Sequence, residues 1–365
     1  MSDSKKVCSK VLRTLKKRMK GLPERHVVVW AMMVAGIVLG KKARLNSIAE
    51  ELPTKAKDKS TFRRLQRFTS NDLVDVQLHF MPFAAQIVDA LSVNRLVIAI
   101  DGSQVGRGCM TLMVGVVYCN RLLPLTWIVY EGKKGHAPAE YHIQVLEQLL
   151  PIIPEQAEVL LLGDGEFDNI EMMEWVDENT SWDFTVRTAK SSKVLYDGEQ
   201  VRIEELAEKG KIVWLEETYF TAQQYGPLCT IAWWESKYDD PVYLVSSLSD
   251  ARKACQLYRQ RALIETLFSD QKSRGFGIDK SHLEDPEKVN RLLMATCLAY
   301  IWMVWLGVEI LRSGQAHHID QNTRRDKSVF RLGLDWMKHS LKHGKQVMVS
   351  FIVSSFPSQS LGVMY

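Results

Sequence analysis

The chain has 365 residues, of which 46% are hydrophobic and 25% are charged, and its formal net charge at pH 7 is +4. This composition excludes a disordered or fibrous protein, and the length is sufficient for two or three domains. The mild positive charge is compatible with a nucleic-acid partner but does not establish one, because many metabolic enzymes have similar values.

The six cysteines are scattered along the chain, with no CxxC pair and no zinc-ligand spacing. The basic N-terminus has no adjoining apolar segment with a cleavage site, so the sequence predicts no secretory signal. Free thiols without such a signal are typical of a reducing compartment. We therefore expect the protein in the cytoplasm.

The N-terminal part of the chain is basic and shows helical periodicity without a convincing strand. Residues 45–52 and 60–69 predict two short helices joined by a turn, which is the outline of a helix-turn-helix DNA reader. The basic residues of the second helix that could contact DNA are Arg63, Arg64 and Arg67. A small helical bundle with a solvated basic face would explain the same pattern equally well. On the first interpretation, residues 1–90 form a helical DNA-binding domain.

From residue 95 onward the pattern changes to short apolar runs that are typical of strands. Three such runs follow one another, and two more alternate with helical patterns. The runs are residues 95–100, 111–119, 122–130, 158–162 and 182–188. This order predicts an α/β fold, with a mixed sheet and flanking helices on both faces. No GxGxxG motif follows the first strand, so a dinucleotide-binding fold is not indicated.

Residues 191–250 predict further strands separated by polar turns, which we interpret as an all-β insertion. The pattern becomes helical over residues 251–313, and residues 314–365 form a C-terminal helical region. Residues 292–308 are as apolar as a short membrane-spanning helix. Nearby charges at both ends, and the lack of a second such run, favour a helix buried in a large domain. We therefore expect no membrane partner.

Two aspartates directly follow buried apolar runs: Asp101 in VIAIDGS and Asp164 in LLLGDGE. An aspartate at the carboxyl end of a strand is well placed to present its carboxylate in the crevice at the strand ends. One such residue beside glycine is more often a turn former, because Asp-Gly is a common turn dipeptide. Two of them in the same sheet favour a shared site when a third carboxylate is available.

The third carboxylate candidate is Glu265, in the segment YRQRALIETLFSDQK. Tyr258, Arg261, Glu265 and Lys272 stand at positions i, i+3, i+7 and i+14 of this segment. On one continuous helix they would fall within an arc of roughly 60° and along about 21 Å of the axis. A solvated face with an ordinary Arg261–Glu265 pair would explain two of them, but not the spacing out to Lys272.

The spacing Y-(2)-R-(3)-E-(6)-K resembles the signature of a large group of bacterial insertion-sequence transposases, an insertion-sequence-four-like family of DDE transposases. This family includes the transposases of transposons five and ten. Asp101 resembles its first aspartate, and residues 164–168 resemble the region of its second aspartate. Gly165 stands where arginine is common, so a contact made by that arginine is absent here or supplied elsewhere. The resemblance covers roughly residues 95–275.

The resemblance implies an RNase H-like catalytic core, formed by residues 91–190 and completed by residues 251–313 after the β-rich insertion. It implies that Asp101, Asp164 and Glu265 are catalytic and bind two Mg²⁺ (or Mn²⁺) ions. Such hard cations prefer carboxylate oxygens, and a pair of them can activate an attacking hydroxyl and stabilise the leaving oxygen at phosphorus.

The resemblance also implies residues that hold DNA. Tyr258, Arg261 and Lys272 would grip phosphates near the scissile bond. An aromatic side chain from the insertion would hold a flipped base, and Trp233 and Trp234 are the candidates. Packing within the β layer explains this tryptophan pair at least as well.

By the same resemblance, the chain is a cut-and-paste DNA transposase that acts on terminal inverted repeats and target DNA. Its chemistry would be metal-dependent hydrolysis and transesterification, with a hairpin at each element end. It would act as a homodimer in a synaptic complex, on the nucleoid of a bacterial cell. Two alternatives stay open: an RNase H-like nuclease without strand transfer, and an inactive remnant that only binds DNA.

Overall fold

The structure is a computed structural model that describes residues 3–54, 56–133, 137–321 and 326–354. Within these ranges the chain forms eleven α-helices and ten β-strands. All ten strands belong to one mixed sheet, which confirms the predicted α/β class. The predicted C-terminal helical region, residues 314–365, includes residues that lie outside the described ranges.

Five helices form the N-terminal part of the molecule. They are α1 (Asp3–Arg18), α2 (Glu24–Gly40), α3 (Leu45–Glu51), α4 (Asp58–Thr69) and α5 (Val76–Leu91). In α1, Val7, Val11 and Leu15 recur every fourth residue and are fully buried, so hydrophobic periodicity determines which face packs inward. Helices α3 and α4 lie where the sequence predicted two short helices.

The first five strands and two helices follow in the predicted order. They are β1 (Leu96–Gly106), β2 (Cys109–Tyr118), β3 (Arg121–Glu131), α6 (Ala139–Glu147), β4 (Val159–Gly163), α7 (Ile170–Asn179) and β5 (Asp183–Arg187). The first three strands pair antiparallel, and β4 then pairs parallel with both β1 and β5. These are the serial strands and alternating helices that the order of apolar runs predicted.

The predicted end of the first strand was wrong. Strand β1 does not stop before Asp101 but continues to Gly106, because β2 remains alongside it and pairs with residues as far as Gly106. The parallel partner β4 ends earlier, and its pairing with β1 covers only residues 96–99. Asp101 therefore lies inside a long strand, just beyond the end of its shorter neighbour.

The β-rich segment extends the same sheet. Its strands are β6 (Lys193–Tyr196), β7 (Glu199–Arg202), β8 (Ile212–Phe220), β9 (Tyr225–Trp233) and β10 (Val242–Ser246). Strand β10 pairs antiparallel with β5, and the sheet order is β3-β2-β1-β4-β5-β10-β9-β8-β6-β7. The segment is thus mostly β, with one 3-10 turn over residues 203–206 that the all-β prediction did not include, and its backbone hydrogen bonds are continuous with those of the core.

The segment that carries Glu265 is not one continuous α-helix, which corrects the single-helix expectation. Helix α8 (Ala251–Tyr258) is followed by a 3-10 turn over residues 259–262, and α9 (Leu263–Gln271) begins there. Because the 3-10 turn is wound more tightly than an α-helix, the arc computed for an unbroken helix does not apply across it. Residue Lys272 follows α9 as its C-cap.

Helices α10 (Pro286–Arg312) and α11 (Val329–Lys342) complete the described fold. Helix α10 is long and apolar enough to span a membrane, yet 89% of its most apolar window is buried inside the molecule. The bent pair of α2 and α3 passes the same length and hydropathy test, so α10 is not alone in this property. Its burial agrees with the prediction of a helix enclosed in a large domain.

A buried arginine on α10 connects this helix to the segment between α4 and α5. Arg291 is 4% exposed and donates hydrogen bonds to the carbonyl oxygens of Thr69, at 3.0 Å, and Val74, at 3.1 Å. Its guanidinium also pairs with Asp72 and Glu287. Because a buried guanidinium is costly unless its donors are satisfied, these partners hold the segment before α5 against α10.

Glycines allow α10 and α11 to approach closely. A Cβ atom at Gly333 would lie 1.9 Å from the carbonyl oxygen of Met303, and one at Gly307 would lie 1.8 Å from that of Val329. Both neighbours are backbone atoms, which cannot rotate away. The two helices therefore contact each other at a distance that only glycine permits.

We expect Gly333→Ala to destabilise the protein by about 1–3 kcal/mol or more, because the new methyl group forces α11 away from α10. The matched control is Gly40→Ala at the end of α2, where the nearest atom is the flexible Cγ of Glu51 at 3.0 Å. This control should be neutral or stabilise the helix by up to about 1 kcal/mol. Thermal unfolding followed by circular dichroism compares the two. Equal melting temperatures would contradict the close-packing argument.

Candidate active site

Asp101 and Asp164 lie side by side at one edge of the sheet. Strands β1 and β4 are parallel, and Ala99 is paired with Leu162. Two residues further along the chain come Asp101, within β1, and Asp164, directly after the end of β4, so the two are level with each other. Their Oδ1 atoms accept local backbone hydrogen bonds, from Gly102 at 2.7 Å and from Glu166 at 3.0 Å. Each Oδ2 atom accepts a hydrogen bond from Arg261.

A single guanidinium contacts all three predicted catalytic carboxylates. Nη2 of Arg261 lies 3.1 Å from Asp101 Oδ2 and 2.7 Å from Asp164 Oδ2. Its Nη1 lies 2.6 Å from Glu265 Oε1, in the first turn of α9. The 3-10 turn places Arg261 between the sheet edge and α9. The structure thus brings together the three carboxylates that the sequence selected from separate parts of the chain.

The ion pairs at this site are unequally buried. The side chain of Asp101 is 5% exposed and that of Arg261 is 14% exposed, whereas that of Glu265 is 61% exposed. Burial opposes the charge on Arg261, but the carboxylates of Asp101 and Asp164 outweigh it and raise the pKa of the guanidinium. One positive charge is shared by three carboxylates, so additional positive charge would be bound favourably here.

The three carboxylates of this site suit a hard divalent cation, although in this structure the guanidinium of Arg261 lies between them. Over the described ranges, no group of three His, Cys, Asp or Glu side chains has the arrangement of a metal site. The carboxylates of Asp101, Asp164 and Glu265 nevertheless converge on one positively charged group. Carboxylate oxygens are the ligands that Mg²⁺ and Mn²⁺ prefer, so these residues fit such ions once the Arg261 side chain moves aside.

The two other predicted DNA contacts also lie at this edge. Lys272 donates a hydrogen bond from Nζ to Ser103 Oγ, at 2.5 Å. Ser103 stands two residues after Asp101 on β1 and so faces the same side of the sheet. Tyr258 is 9% exposed, and its burial raises the pKa of its hydroxyl to about 12. Tyr258 is therefore neutral at physiological pH and can donate a hydrogen bond.

A cleft of about 750 Å³ opens beside the carboxylates. It is lined by Asp164, Tyr258 and Arg261 on the core side, and by Trp234 and Tyr243 on the side of the β-rich segment. The cleft connects the acidic site to the β-rich segment, and its walls carry both charged and aromatic side chains.

The two candidate aromatic residues occupy different surroundings. Trp234 lines the cleft, and its indole Nε1 donates to the carbonyl oxygen of Tyr238 at 3.1 Å. Trp233 lines a separate cavity, and the guanidinium of Arg259 lies 4.9 Å from its ring centroid. Arg259 is held there by Glu235, at 2.6 Å. Only Trp234 of this pair faces the space next to Asp164.

The predicted helix-turn-helix residues lie away from this site. Arg63, Arg64 and Arg67 are all exposed on α4. The opposite side of α4 is apolar, and its Leu65 and Phe68 are buried. The arginines thus form an accessible basic face, as both interpretations of the sequence required, and their contact with DNA stays a prediction.

Sequence reasoning missed two polar residues of the site. Ser103 was overlooked because the first strand was expected to end before Asp101, although strand alternation places residues 101 and 103 on one side. Arg187, at the end of β5, lines the cleft with Asp164 and Tyr258. A basic residue at the carboxyl end of a predicted buried strand was the available signal for it.

The fold and the site define a mixed α/β protein with an acidic centre at the carboxyl edge of its sheet. Residues 89–302 match the family described as transposase DDE domain. This match covers more than half of the chain, and the chain belongs to that family. Membership supports transposase function and, in general, the use of divalent metal ions. Among curated proteins, none matches this sequence significantly.

Several solved structures resemble the fold at low sequence identity. A piggyBac transposase in a synaptic complex with hairpin DNA is 11% identical, with a TM-score of 0.47 over 97% of this chain and 83% of that chain. The Argonaute of Aquifex aeolicus is 9% identical, with a TM-score of 0.25 over 55% of this chain and 28% of its own. Human ENDOV is 15% identical, with a TM-score of 0.27 over 53% of this chain and 96% of its own. These likenesses are too distant to support a functional argument.

The ion pairs of Arg261 predict a metal-dependent stability. In EDTA, Arg261→Ala should destabilise the protein by about 1–3 kcal/mol, because it removes the guanidinium that pairs with the buried carboxylate of Asp101 and the half-buried carboxylate of Asp164. Adding Mn²⁺ should recover most of this loss, and should raise the melting temperature of the variant more than that of the wild type. Differential scanning calorimetry with EDTA and with Mn²⁺ measures both effects.

Arg259→Ala is the matched control, because Arg259 pairs with Glu235 outside the acidic centre. Its side chain is 56% exposed, so its loss should cost less than about 1 kcal/mol, with or without Mn²⁺. If Arg261→Ala and the wild type respond equally to Mn²⁺, Arg261 does not compete with metal for the carboxylates.

Proposed function

We propose that the chain is a metal-dependent DNA transposase that cuts at the ends of a mobile element and joins those ends to target DNA. The observation that carries this proposal is the convergence of Asp101, Asp164 and Glu265 on one point, in a member of the transposase DDE domain family. If Asp101 and Asp164 were only turn residues beside glycine, there would be no reason for them to lie at the same level. Nor would there be a reason for a glutamate from a distant helix to lie beside them.

We propose Asp101, Asp164 and Glu265 as ligands of two Mg²⁺ (or Mn²⁺) ions. When bound, such ions supply electrostatic stabilisation to the attacking and leaving oxygens at phosphorus. The buried Asp101 keeps one carboxylate orientation through its bond to Gly102. Glu265 is the most exposed of the three, and its flexible side chain can adjust as DNA enters.

We propose that the side chain of Arg261 occupies two positions in turn. Without metal and DNA it neutralises the carboxylates, as the ion pairs describe. With metal bound, its guanidinium is released from them and grips a phosphate of the DNA, which it can contact through two parallel hydrogen bonds. Lys272 and Tyr258, on either side of it in sequence, are proposed to hold neighbouring phosphates.

The insertion-sequence-four-like subgroup remains part of the proposal, together with its hairpin intermediate. Four residues support it, because Tyr258, Arg261, Glu265 and Lys272 keep the signature spacing and lie at the same edge of the sheet. For the flipped base we propose Trp234 rather than Trp233, since Trp234 lines the cleft beside Asp164. A base could stack on its ring there.

A synaptic homodimer is proposed because coordinated cutting requires two element ends to be held together. The bacterial cytoplasm and the nucleoid are proposed as the site of action, since the substrate is chromosomal DNA. The exposed arginines of α4 would then contribute to recognition of the terminal repeats, as a helix-turn-helix domain does.

Cleavage of a linear duplex carrying the element's terminal inverted repeat tests the proposal. We expect nicked, hairpin and joined products on a denaturing gel with Mg²⁺ and none with EDTA. Glu265→Gln should reduce cleavage by roughly 100-fold or more, because a metal ligand is lost, while DNA binding persists. The control Glu178→Gln, at the exposed end of α7, should cleave like the wild type.

Other outcomes identify the alternatives. Metal-dependent cutting without hairpin or joined products would indicate a nuclease that lacks strand transfer. Binding without metal-dependent cutting by the wild type would indicate a DNA-binding remnant, and Asp101 and Asp164 would then be structural.

The assignment of Trp234 gives a separate prediction. Trp234→Ala should lower the ratio of hairpin to nicked product by about tenfold or more, since base stacking contributes about 1–3 kcal/mol. The first nick should be unaffected. Trp233→Ala is the control, because its ring packs against Arg259 outside the cleft. A larger hairpin defect in Trp233→Ala than in Trp234→Ala would overturn the assignment.

A further inference from the structure

A second cleft, distant in sequence from the acidic centre, lies between α1 and the segment that follows α11. It has a volume of about 610 Å³. One wall consists of Lys10, Arg13, Lys17 and Arg18 of α1. The other wall is formed by residues 346–350, with Gln346 opposite the basic side chains. We refer to it as the α1 cleft.

The basic residues form one stripe along α1. Positions 10, 13, 14, 17 and 18 recur at the three- and four-residue spacing that places side chains on one side of a helix. The stripe extends over about 12 Å of the helix axis. Beside it, the buried residues Val7, Val11 and Leu15 fix the rotation of α1 against α2. The orientation of the basic stripe is therefore determined by the core.

The charges of the α1 cleft are not neutralised within the described part of the chain. No Asp or Glu lines the cleft, and Lys10, Arg13 and Lys17 form no ion pair among the described residues. Arg18 hydrogen-bonds to the uncharged Gln86. By contrast, two lysines elsewhere on the same helix pair with acidic neighbours, Lys6 with Asp3 and Lys16 with Glu24. The cleft thus concentrates the unpaired positive charge of α1.

We propose that the α1 cleft binds the phosphate backbone of double-stranded DNA. A duplex places a phosphate every 3.4 Å or so of axis on each strand, so a stripe of about 12 Å matches about three phosphates. A small free phosphate would instead be bound by basic groups converging on one point. The walls offer no large exposed apolar side chain, which a membrane-binding surface requires.

This inference rests on the proposed function, since it assigns a further contact surface to a protein that acts on DNA. It differs from the helix-turn-helix prediction because it involves α1 and the segment after α11 rather than the arginines of α4. Backbone contacts position the protein without reading sequence. The α1 cleft would therefore add affinity and orientation to every DNA substrate, terminal repeat or target.

Fluorescence anisotropy with a labelled duplex of random sequence tests the inference over a range of salt concentrations. Lys10→Gln combined with Lys17→Gln should weaken binding about tenfold or more at low salt. It should also reduce the slope of log K against log salt by about 1.8, which corresponds to two lost phosphate contacts. The control, Lys5→Gln with Lys16→Gln, removes the same charge from another side of α1 and should leave the slope nearly unchanged.

A second variant tests the cleft itself rather than α1. Gln346→Glu keeps the side-chain shape but introduces a negative charge opposite the basic stripe, so it should weaken duplex binding severalfold. Gln200→Glu, an exposed residue on β7 at the far end of the sheet, adds the same charge and should have no effect. The four variants alter six residues, of which Lys10 is half-buried and the other five are exposed, and unchanged melting temperatures would confirm that the variants fold.

The inference is overturned if the Lys5/Lys16 control weakens binding as much as Lys10/Lys17, or if Gln346→Glu has no effect. It is also overturned if the Lys10/Lys17 variant loses only binding to phosphatidylserine vesicles and keeps its duplex affinity. If duplex binding persists in that variant and Mg²⁺-dependent cleavage is retained, the α1 cleft inference fails while the proposed function stands. If the wild type binds no duplex at all, the proposed function itself fails.

Discussion

The parallel pairing of β1 with β4 is the constraint on which the acidic centre depends. It places Asp101 and Asp164 at the same level on adjacent strands, and the antiparallel support of β2 keeps β1 extended past the point where β4 ends. The edge created by the shorter strand is open, so groups from other elements can approach the two carboxylates. Helix α9 and the 3-10 turn before it occupy that edge and bring Glu265 and Arg261 to it.

The charges at this edge of the sheet then determine which groups can bind there. Three carboxylates around one guanidinium leave an excess of negative charge at a place that a DNA phosphate must reach. Like charges at such short range repel strongly where the side chains are partly buried. On the proposed function, added cations would offset this repulsion as a phosphate enters, and Arg187 and Lys272 already lie near this edge. On the proposed function, the carboxylates that pair with Arg261 in this structure are the same ones that would bind those cations.

The sequence predicted which carboxylates lie together better than it predicted how they are held. Asp101, Asp164 and Glu265 could be selected because residue type, strand ends and signature spacing are local properties. The continuation of β1 beyond Asp101 could not be predicted in this way. It depends on β2 being longer than β4, and the local sequence of β1 does not show how long its partner strands are. Within residues 191–250 the sequence predicted strands over residues 212–219, 228–234 and 242–246 but not the hairpin of β6 and β7, because these short strands are largely exposed and carry little hydrophobic alternation. The contact of Arg261 with all three carboxylates likewise could not be predicted, because it depends on how the 3-10 turn and α9 pack against the edge of the sheet.

The continuity of the sheet also bears on how the β-rich segment acts. Because β10 pairs directly with β5, Leu244 is the strand partner of Arg187, which lines the cleft. Trp234 follows β9 immediately, and β9 pairs with β10. Movement of Trp234 relative to Asp164 would therefore have to break strand pairing or be confined to its side chain. On the proposed function, a base held by Trp234 would thus be positioned by the same hydrogen-bonded sheet that positions Asp101 and Asp164.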